Sequence, residues 1–412
     1  MKNGALATLF LTMLIDLLGF GMVVPFLPRM ARELGATDLE ASLVSASYSL
    51  MQLVFVPIWG RLSDRVGRKP VLMWSIFATC IFMGGLGFAS SLWMLFAARI
   101  VAGIATANIS VVQACVADVT RPEERAKGMG LLGAAFGVGF ILGPFFGGHL
   151  ASLHLLGRES TGPAFASAGL ALLNLLMAIA FLPETLPPEK RGAPSLERAN
   201  VLRPSSYLRA VRASGIGLPV SLNLVFVASF AGLEFTFGLF ALDAFAMNAR
   251  GVGNVFGVMG LVGAVIQGGL IRRLAPKLGE VRLLRVGLVL LSVGFLLLTQ
   301  TPGWGVTGLY AVALVLATGH SIATPSLSSY VSRRASATEQ GATLGLLQSS
   351  GSLGRLVGPV TAGALYGHLS HVAPYVLSSV GMAVAAVIAS RLSAIVDAPV
   401  EPAATDPAEG GA

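Results

Sequence analysis

Long runs without a charged residue are the feature that most limits how this chain can fold. The longest run, Val286 to Ser332, covers 47 residues without a formal charge. A helix of about 20 mostly apolar residues crosses a hydrocarbon core of roughly 30 Å, and only helices or closed barrels satisfy the backbone in lipid. Because these runs are too long and continuous for barrel strands, we expect an all-α integral membrane protein.

The composition agrees with this expectation. The 412 residues are 54% hydrophobic and only 12% charged, whereas a soluble surface needs roughly twice that share of charge. Dividing the apolar runs at the loops predicts twelve transmembrane helices. Their expected bounds are 4–28, 41–60, 70–89, 92–116, 128–149, 162–182, 215–242, 252–271, 286–300, 304–331, 340–366 and 372–390.

Lys and Arg are distributed unequally between alternate loops. One set of loops, together with both termini, holds 22 of them, and the opposite set holds four. Since positive charge is retained on the cytoplasmic side, we expect a multi-pass protein of the cell (inner) membrane with both termini in the cytoplasm. The net charge of +8 then reflects topology. A nucleic-acid partner is not expected, because its binding would gather cations on a soluble domain.

The chain also contains an internal duplication. The 27 residues from Glu124 match those from Glu339 at nine positions without a gap, at an offset of 215 residues. Parallel repeats of six spans, with a substrate site between them, build one class of secondary transporter. We therefore expect two pseudo-symmetric six-helix bundles. The expected organisation is a first bundle at 1–183, a cytoplasmic linker at 184–214, a second bundle at 215–391 and a disordered tail at 392–412.

Four groups of residues form recognisable motifs. The stretch Gly60 to Leu72, GRLSDRVGRKPVL, places four cations and one acid between spans two and three. In span four, Arg99 precedes Gly103. The first span contains Asp16, Gly19, Gly21, Pro25 and Pro28. The spacing G-x8-G-x3-G-P-x2-G-G in span five is formed by Gly130, Gly139, Gly143, Pro144, Gly147 and Gly148.

Together these motifs resemble those of the major facilitator superfamily, and they are similar to the twelve-span drug:proton antiporter branch that includes tetracycline and multidrug exporters. The resemblance covers essentially the whole chain, and it implies the major facilitator fold and proton-driven export. The chain departs from the tetracycline exporters because spans three and nine contain no acid. The resemblance therefore does not imply tetracycline itself as the substrate.

The resemblance implies a role for the motif between spans two and three. Its residues Gly60, Asp64, Arg65, Gly67 and Arg68 are expected to form a conformational latch, in which Asp64 holds the two halves together through the start of the eleventh span. A carboxylate at this place can accept hydrogen bonds from the positive end of a helix and from neighbouring Arg side chains. The alternative is that Asp64 is a solvated turn residue.

The glycine motif of span five has a different physical basis. Small residues at helical spacing let helices approach closely in lipid, and Pro144 lets the helix bend. We expect these faces to slide against the other half as the halves rock, and the alternative is static close packing. The second copy of the motif is Gly345, Gly354, Gly358, Pro359 and Gly363.

Ionisable residues at membrane depth are costly and therefore suggest function. Four are expected there: Asp16, Arg99, Glu234 and Arg355. Removal from water favours the protonated form of a carboxyl group, and a nearby cation favours the ionised form. We expect Asp16 and Glu234 to bind protons and a cationic substrate, with Arg99 tuning a carboxylate or relaying its proton. The alternative is structural ion pairs of these acids with Arg99 or Arg355, the latter of which replaces Phe140 of the first repeat.

Neutral polar residues within the spans are candidates for lining a cavity, or for hydrogen bonds between helices. They are Gln52, Asn108, Gln113, Asn223, Gln267, His320 and Gln348. We expect no metal site and no catalytic residue. The motifs H-E-x-x-H and G-x-S-x-G and a Walker loop do not occur in the sequence, so neither an intramembrane enzyme nor an ATP-driven pump is expected.

The sequence thus predicts a secondary active transporter that exports a small, hydrophobic or cationic, drug-like molecule in exchange for protons by alternating access. Its energy would come from the proton gradient without a cofactor, and it would act as a monomer in the lipid bilayer. The alternative in the same fold is a sugar or metabolite exporter or a proton symporter. A channel would not need Asp64 and paired glycine surfaces.

Overall fold

The computed structural model describes residues 2–121, 125–153, 161–192, 216–334 and 340–392, and the regular structure in these ranges is entirely helical. The all-α prediction is confirmed over these ranges. We number the successive helical spans from 1 to 12. They are span 1, Lys2–Val23 continuing through Val24–Phe26 to Leu27–Glu33; span 2, Asp38–Val66; span 3, Arg68–Gly87; span 4, Leu92–Ala105 and Ile109–Val119; span 5, Arg125–Ala151; span 6, Thr161–Phe181; span 7, Gly217–Phe245; span 8, Ala249–Val265 continuing through Ile266–Leu270 to Ile271–Leu278; span 9, Glu280–Leu298; span 10, Thr301–Arg334; span 11, Gln340–His368; and span 12, Ala373–Ala389.

Spans 1 to 10 each contain a stretch long and apolar enough to cross a membrane. Span 12 is a shorter apolar helix of 17 residues. The twelve predicted spans therefore correspond one to one with the helical spans of the described residues. The expected linker and tail fall largely outside these residues, at 193–215 and 393–412.

Several predicted bounds are wrong, because the helices extend beyond the uncharged runs. Span 2 was expected at 41–60 and runs from Asp38 to Val66, and span 9 was expected at 286–300 and begins at Glu280. An uncharged run measures the thickness of the hydrocarbon, whereas a helix continues into the headgroup region, where charged side chains are solvated. Local chemistry sets the actual start of span 2, where Thr37 and Glu40 form a reciprocal capping box.

Helix packing repeats itself with a shift of six spans. Span 1 packs against spans 5 and 6, and span 7 packs against spans 11 and 12 in the same way. The pairs 3 with 6 and 2 with 4 likewise recur as 9 with 12 and 8 with 10. The two halves meet through span 5 against span 8 and span 2 against span 11. We call the end where span 6 ends and span 7 begins the linker end, and the opposite end the far end.

Candidate functional site

Asp16 lies near the middle of span 1, in a polar cluster inside the first half. The side-chain amide of Asn174, in span 6, donates to Asp16 Oδ1 at 2.9 Å and to the backbone oxygen of Thr12 at 3.2 Å. Asn108, at the break in span 4, also interacts with the Asp16 carboxylate and donates to Ser75 Oγ at 2.6 Å. Sequence reasoning missed Asn174, although a fully buried amide in an apolar helix needs a polar partner.

The guanidinium of Arg99 lies against two aromatic rings. Its Cζ atom is 4.2 Å from the centroid of the Tyr48 ring and 5.9 Å from that of Phe20. Arg99 is only 2% exposed, and its Nε and Nη1 atoms have no hydrogen-bond partner within the described residues. The Tyr48 hydroxyl accepts hydrogen bonds from Thr106 at 2.6 Å and from Gln52 at 3.1 Å. Tyr48, which sequence reasoning missed, is thus the principal neighbour of Arg99.

Tyr48 also connects the ionisable residues of the two halves. It lies within electrostatic range of Asp16 and Arg99 in the first half and of Arg355 in the second. Arg355 in turn acts on Glu234. The four residues that the sequence singled out therefore lie around one centre between the halves. Within the described part of the chain no ion pair joins any two of them, so the alternative of structural ion pairs is not realised in this structure.

Arg355 and Glu234 lie near the midpoints of spans 11 and 7. The Arg355 Nη2 atom donates to Ser352 Oγ, one turn earlier on the same helix, at 3.2 Å. Both Arg355 and Glu234 are half-buried. The two side chains interact electrostatically, and no ion pair between them is found among the described residues.

His320 in span 10 is packed between two phenylalanines of span 7. Its ring centroid lies 4.0 Å from that of Phe230 and 5.3 Å from that of Phe226, with nearly parallel planes. His320 is therefore part of an aromatic stack that joins spans 7 and 10.

The other neutral polar residues divide into two groups. Asn223 donates to the backbone oxygen of Leu347 and to Ser350 Oγ, both at 2.8 Å, so it joins spans 7 and 11. Gln52 and Asn108 join neighbouring helices in the same manner. The remaining three are Gln113, which is half-buried, and Gln267 and Gln348, which are exposed.

The turn between spans 2 and 3 is a single residue. Gly67 has a φ of 114°, and the residues on both sides are helical, which corrects the expected loop at 61–69. Arg68 is 6% exposed and donates to Asp64 Oδ1 at 2.5 Å, to Ser63 Oγ at 2.7 Å and to Asp118 Oδ2 at 3.2 Å. Asp64 is therefore a helical residue paired with Arg68, and the solvated-turn alternative is wrong.

The expected contact of Asp64 with the start of span 11 concerns residues 335–342, whose side chains lie outside the described residues. Gly60 and Arg65, the other members of the predicted latch, lie in the last two turns of span 2, Gly60 buried and Arg65 exposed. The described part of the latch is therefore a cluster within the first half, centred on Arg68.

Glu184, just after span 6, completes this cluster and was missed in the sequence. Its carboxylate accepts hydrogen bonds from the backbone nitrogens of Arg68 at 2.9 Å and Lys69 at 3.3 Å. These are the first amides of span 3, which have no partner within their own helix. Further along, the Gly192 nitrogen donates to the Asp64 backbone oxygen at 3.0 Å. The beginning of the linker is thus attached to the turn between spans 2 and 3.

The glycines of span 5 face two different surfaces, which corrects the expectation that they all face the other half. A Cβ on Gly143 would lie 2.7 Å from the Cα of Gly21, and one on Gly139 would meet Leu17, both in span 1 of the same half. A Cβ on Gly147 would meet the backbone of span 1 as well. Only Gly148 crosses to span 8, where a Cβ would lie 2.8 Å from the Cα of Gly253. The reason is that span 5 turns most of its glycines toward span 1, whereas Gly148 lies on the side that faces span 8.

The second copy in span 11 repeats this division. Gly354 and Gly358 approach the backbone of Ala228 in span 7, whereas Gly363 approaches Ser42 in span 2 of the first half. Pro359 is buried with them. The same glycine of each repeat therefore makes the contact between the halves.

The halves are in close contact at the far end. Gly148 and Gly363, which make the close approaches, lie in the far-end portions of their helices, and Arg32 of span 1 forms an ion pair with Asp243 of span 7 there at 3.1 Å. Toward the linker end, a Cβ added to Gly130 or Gly345 would meet nothing within 4 Å among the described residues. The centre around Tyr48 is thus closed at the far end in this structure.

Comparison with known proteins identifies relatives across nearly the whole chain. The sequence model of the Major Facilitator Superfamily matches residues 9–316 and 270–411. The class C tetracycline resistance protein of Escherichia coli is 32% identical over 371 residues, which are 89% of this chain and 90% of that protein. The human major facilitator superfamily domain-containing protein 10 is 32% identical over 415 residues, with 89% and 88% covered.

Solved structures give the same result for the fold. The crystal structure of the human organic anion transporter MFSD10 superposes with a TM-score of 0.71 at 28% identity, covering 94% of this chain and 99% of the other. A bacterial homologue of the lysosomal transporter Spinster, in an inward-facing occupied conformation, superposes with a TM-score of 0.70 at 15% identity, covering 93% and 95%. The predicted twelve-helix fold is confirmed by these neighbours.

Proposed function

The chain belongs to the Major Facilitator Superfamily and is a membrane transporter, and we propose that it exports a small hydrophobic or cationic molecule in exchange for protons. The observation that carries this proposal is the position of Asp16 and Glu234, one near the middle of each half, around a single inter-half centre. A transporter that alternates access must expose the same groups to both sides in turn. Two acids on opposite halves meet this requirement.

The surroundings of each acid support the exchange. Asp16 is held by Asn174 at 2.9 Å, and Glu234 lies in the field of Arg355. A cationic or polar substrate that enters this centre adds charge beside both carboxylates and favours the release of their protons. The stacked rings of Phe226, Phe230 and His320 provide an apolar, flat surface for the rest of a drug-like molecule.

The remaining parts of the proposal follow from the charge distribution. We place the linker end in the cytoplasm of a cell with an inner membrane, because the loops at that end hold most of the Lys and Arg residues. We propose that the centre, whose far end is closed by the contacts between the halves, faces the cytoplasm in this conformation. We propose that the transporter works as a monomer, with the proton gradient as its energy source and without a cofactor.

Everted membrane vesicles test this proposal. Substrates are first found by comparing the compound susceptibility of cells with and without the protein, in the presence and absence of a protonophore. Addition of such a substrate to energised vesicles should then release protons, as measured with a pH-sensitive dye. The changes Asp16→Asn and Glu234→Gln should each abolish substrate-dependent proton release, whereas Glu189→Gln, at an exposed acid after span 6, should leave it intact. Coupled export by the doubly neutralised protein would refute the proposal.

A second candidate function is the transport of an organic anion. It is favoured by the two guanidinium groups at the centre, since Arg99 has unpaired nitrogens and Arg355 bonds to a serine of its own helix. The relative whose fold is similar, MFSD10, is an organic anion transporter. An anionic substrate would pair with Arg355 and release Glu234 from its field.

Two dyes of similar size and opposite charge separate the candidates. In reconstituted liposomes, a cationic rhodamine dye should be carried if the acids select the substrate, and an anionic fluorescein dye should be carried if the arginines do. The change Arg355→Gln should abolish uptake of the anion, and Arg355→Lys should retain part of it. Uptake of the cation alone, unaffected by Arg355→Gln, would exclude the second candidate.

A further inference from the structure

The far end contains a cluster of charged and aromatic residues that joins the two halves. Arg32 of span 1 donates to Asp38 of span 2 at 2.6 Å and to Asp243 of span 7 at 3.1 and 3.2 Å. The Tyr366 hydroxyl, in span 11, donates to the same Asp243 at 2.7 Å. His371, in the loop before span 12, has its Nε2 atom 4.0 Å from Asp243. Arg32 is therefore shared between a carboxylate of its own half and a carboxylate of the other half.

The position of His371 is determined by stacking. Its ring lies parallel to that of Tyr366, with a centroid distance of 4.6 Å and an interplanar angle of 10°. The side chain is 58% exposed, so protons reach it directly from the solvent at the far end. Histidine is the side chain that gains a charge between about pH 5 and 8.

The charges of the cluster do not balance. One cation, Arg32, serves two carboxylates, Asp38 and Asp243. When the halves separate at the far end, Arg32 keeps Asp38 as its partner, because both belong to the first half. Asp243 stays with Tyr366 and His371 in the second half, and it then lacks a cation unless His371 is protonated. Protonated His371 thus replaces Arg32 as the counter-ion of Asp243.

We propose that His371 and Asp243 form a proton-binding site, separate from the central acids, and that a proton bound there favours the opening of the far end. Because Asp243 loses Arg32 when the far end opens, the open state binds this proton more tightly than the closed state does. By reciprocity, acidification must then shift the population toward the open state. The open population should rise as the pH falls through the range in which histidine titrates.

The neighbouring charged and titratable groups come from every element packed on this site. Span 1 contributes Arg32, span 2 contributes Asp38, span 11 contributes Tyr366, and Tyr375 of span 12 lies within electrostatic range of Asp243. None of these neighbouring groups is a histidine. The central acids Asp16 and Glu234 also bind protons in the proposed function, so the test is made with both of them neutralised, and the response that remains reports on His371.

Distance measurements between spin labels test the proposal on the full chain in lipid nanodiscs. Cys80 and Cys115, the two cysteines of the sequence, are first replaced by serine. Labels are placed at Ser90 and Gln300, which are exposed in equivalent far-end loops of the two halves, between spans 3 and 4 and between spans 9 and 10. Between about pH 8 and pH 5.5, we expect the ratio of open to closed populations to rise about tenfold, within the usual range of allosteric coupling.

We expect two substitutions of His371 to have opposite effects on the opening of the far end. His371→Gln should remove the dependence on pH and keep the far end closed, and His371→Arg should open it already at about pH 8 because the cation is permanent. The matched control is His368→Gln, at an exposed histidine one turn earlier, which should respond like the parent. Thermal unfolding of each variant confirms that it is folded.

A response to pH that persists in His371→Gln, or its absence in the parent, would overturn the proposal. So would a closed far end in His371→Arg at about pH 8. The measurement needs no substrate, and every variant is made in the background Asp16→Asn/Glu234→Gln, so its outcome is independent of which molecule the central site carries and of whether these two acids couple to protons.

Discussion

The Arg99 guanidinium stacks on the Tyr48 ring at 4.2 Å from its centroid, and this contact joins a buried cation of span 4 to the centre between the halves. A desolvated cation–π contact contributes about 2 kcal/mol. We therefore expect Tyr48→Leu to lower the unfolding temperature in detergent strongly. Tyr48→Phe keeps the ring face but loses the acceptor for Thr106 and Gln52, and it should cost about 1 kcal/mol. Equal losses in the two variants would contradict a role for the ring face.

Substitution of the two acids that bind Arg68 distinguishes a latch at Asp64 from a cluster that only stabilises the first half. Asp64→Asn and Asp118→Asn each remove one carboxylate from the Arg68 guanidinium, so both should lower the unfolding temperature by similar amounts. Only Asp64→Asn should cripple transport in vesicles while leaving membrane insertion normal. A comparable loss of transport in Asp118→Asn would show that the cluster acts through the stability of the first half.

Gly143 and Gly130 lie in the same helix, so substitutions of the two by alanine can be compared directly. A Cβ at Gly143 would lie 2.7 Å from the Gly21 backbone, so Gly143→Ala must push span 5 away from span 1 and should destabilise the protein by about 1–3 kcal/mol. Gly130→Ala meets nothing within 4 Å among the described residues and should be neutral or stabilising by up to about 1 kcal/mol. Thermal unfolding of the purified variants measures both, and a tolerated Gly143→Ala would refute the close packing.

Glu184 provides the missing acceptors at the start of span 3. Glu184→Ala leaves the amides of Arg68 and Lys69 without this partner and should cost about 1 kcal/mol, whereas Glu184→Gln keeps an oxygen acceptor and should cost less. Glu189→Ala, at the exposed acid five residues later, should change stability by no more than about 0.5 kcal/mol. Thermal unfolding measures the three variants, and identical curves would mean that water replaces the carboxylate.

The architecture was predictable because lipid imposes strong rules on a sequence. The run from 286 to 332 can only be membrane-embedded helix, and the repeat that relates Glu124 to Glu339 determines the two-fold arrangement. The spacing of small residues in spans 5 and 11 predicted close helix packing, but it assigned the contact to the other half, whereas most of these glycines pack against spans 1 and 7. The direction of each glycine did not follow, because it depends on how far each helix rotates and tilts about its neighbours.

The ionisable residues of the centre were likewise predictable, because a charge inside a span is conspicuous. Their partners were not. Asn174, Tyr48 and Glu184 are ordinary residues in the sequence, and they become important only through contacts across 158, 51 and 116 positions of the chain. The pairing of Arg32 with Asp243 was not predictable for another reason. Charges near the ends of spans are common, and only the folded chain shows which of them meet.

The far-end contact between the halves brings the main chain of Gly148 against that of Gly253, and it brings Gly363 against the side chain of Ser42 and the backbone oxygen of Asp38. Surfaces built from glycines and short side chains can separate with little rearrangement of side chains. This contact can therefore be used to trap a second conformation for crystallography. A bulky residue introduced at either glycine acts as a wedge, and it would trap the carrier with its other face open, which is the conformation missing for a complete view of its cycle.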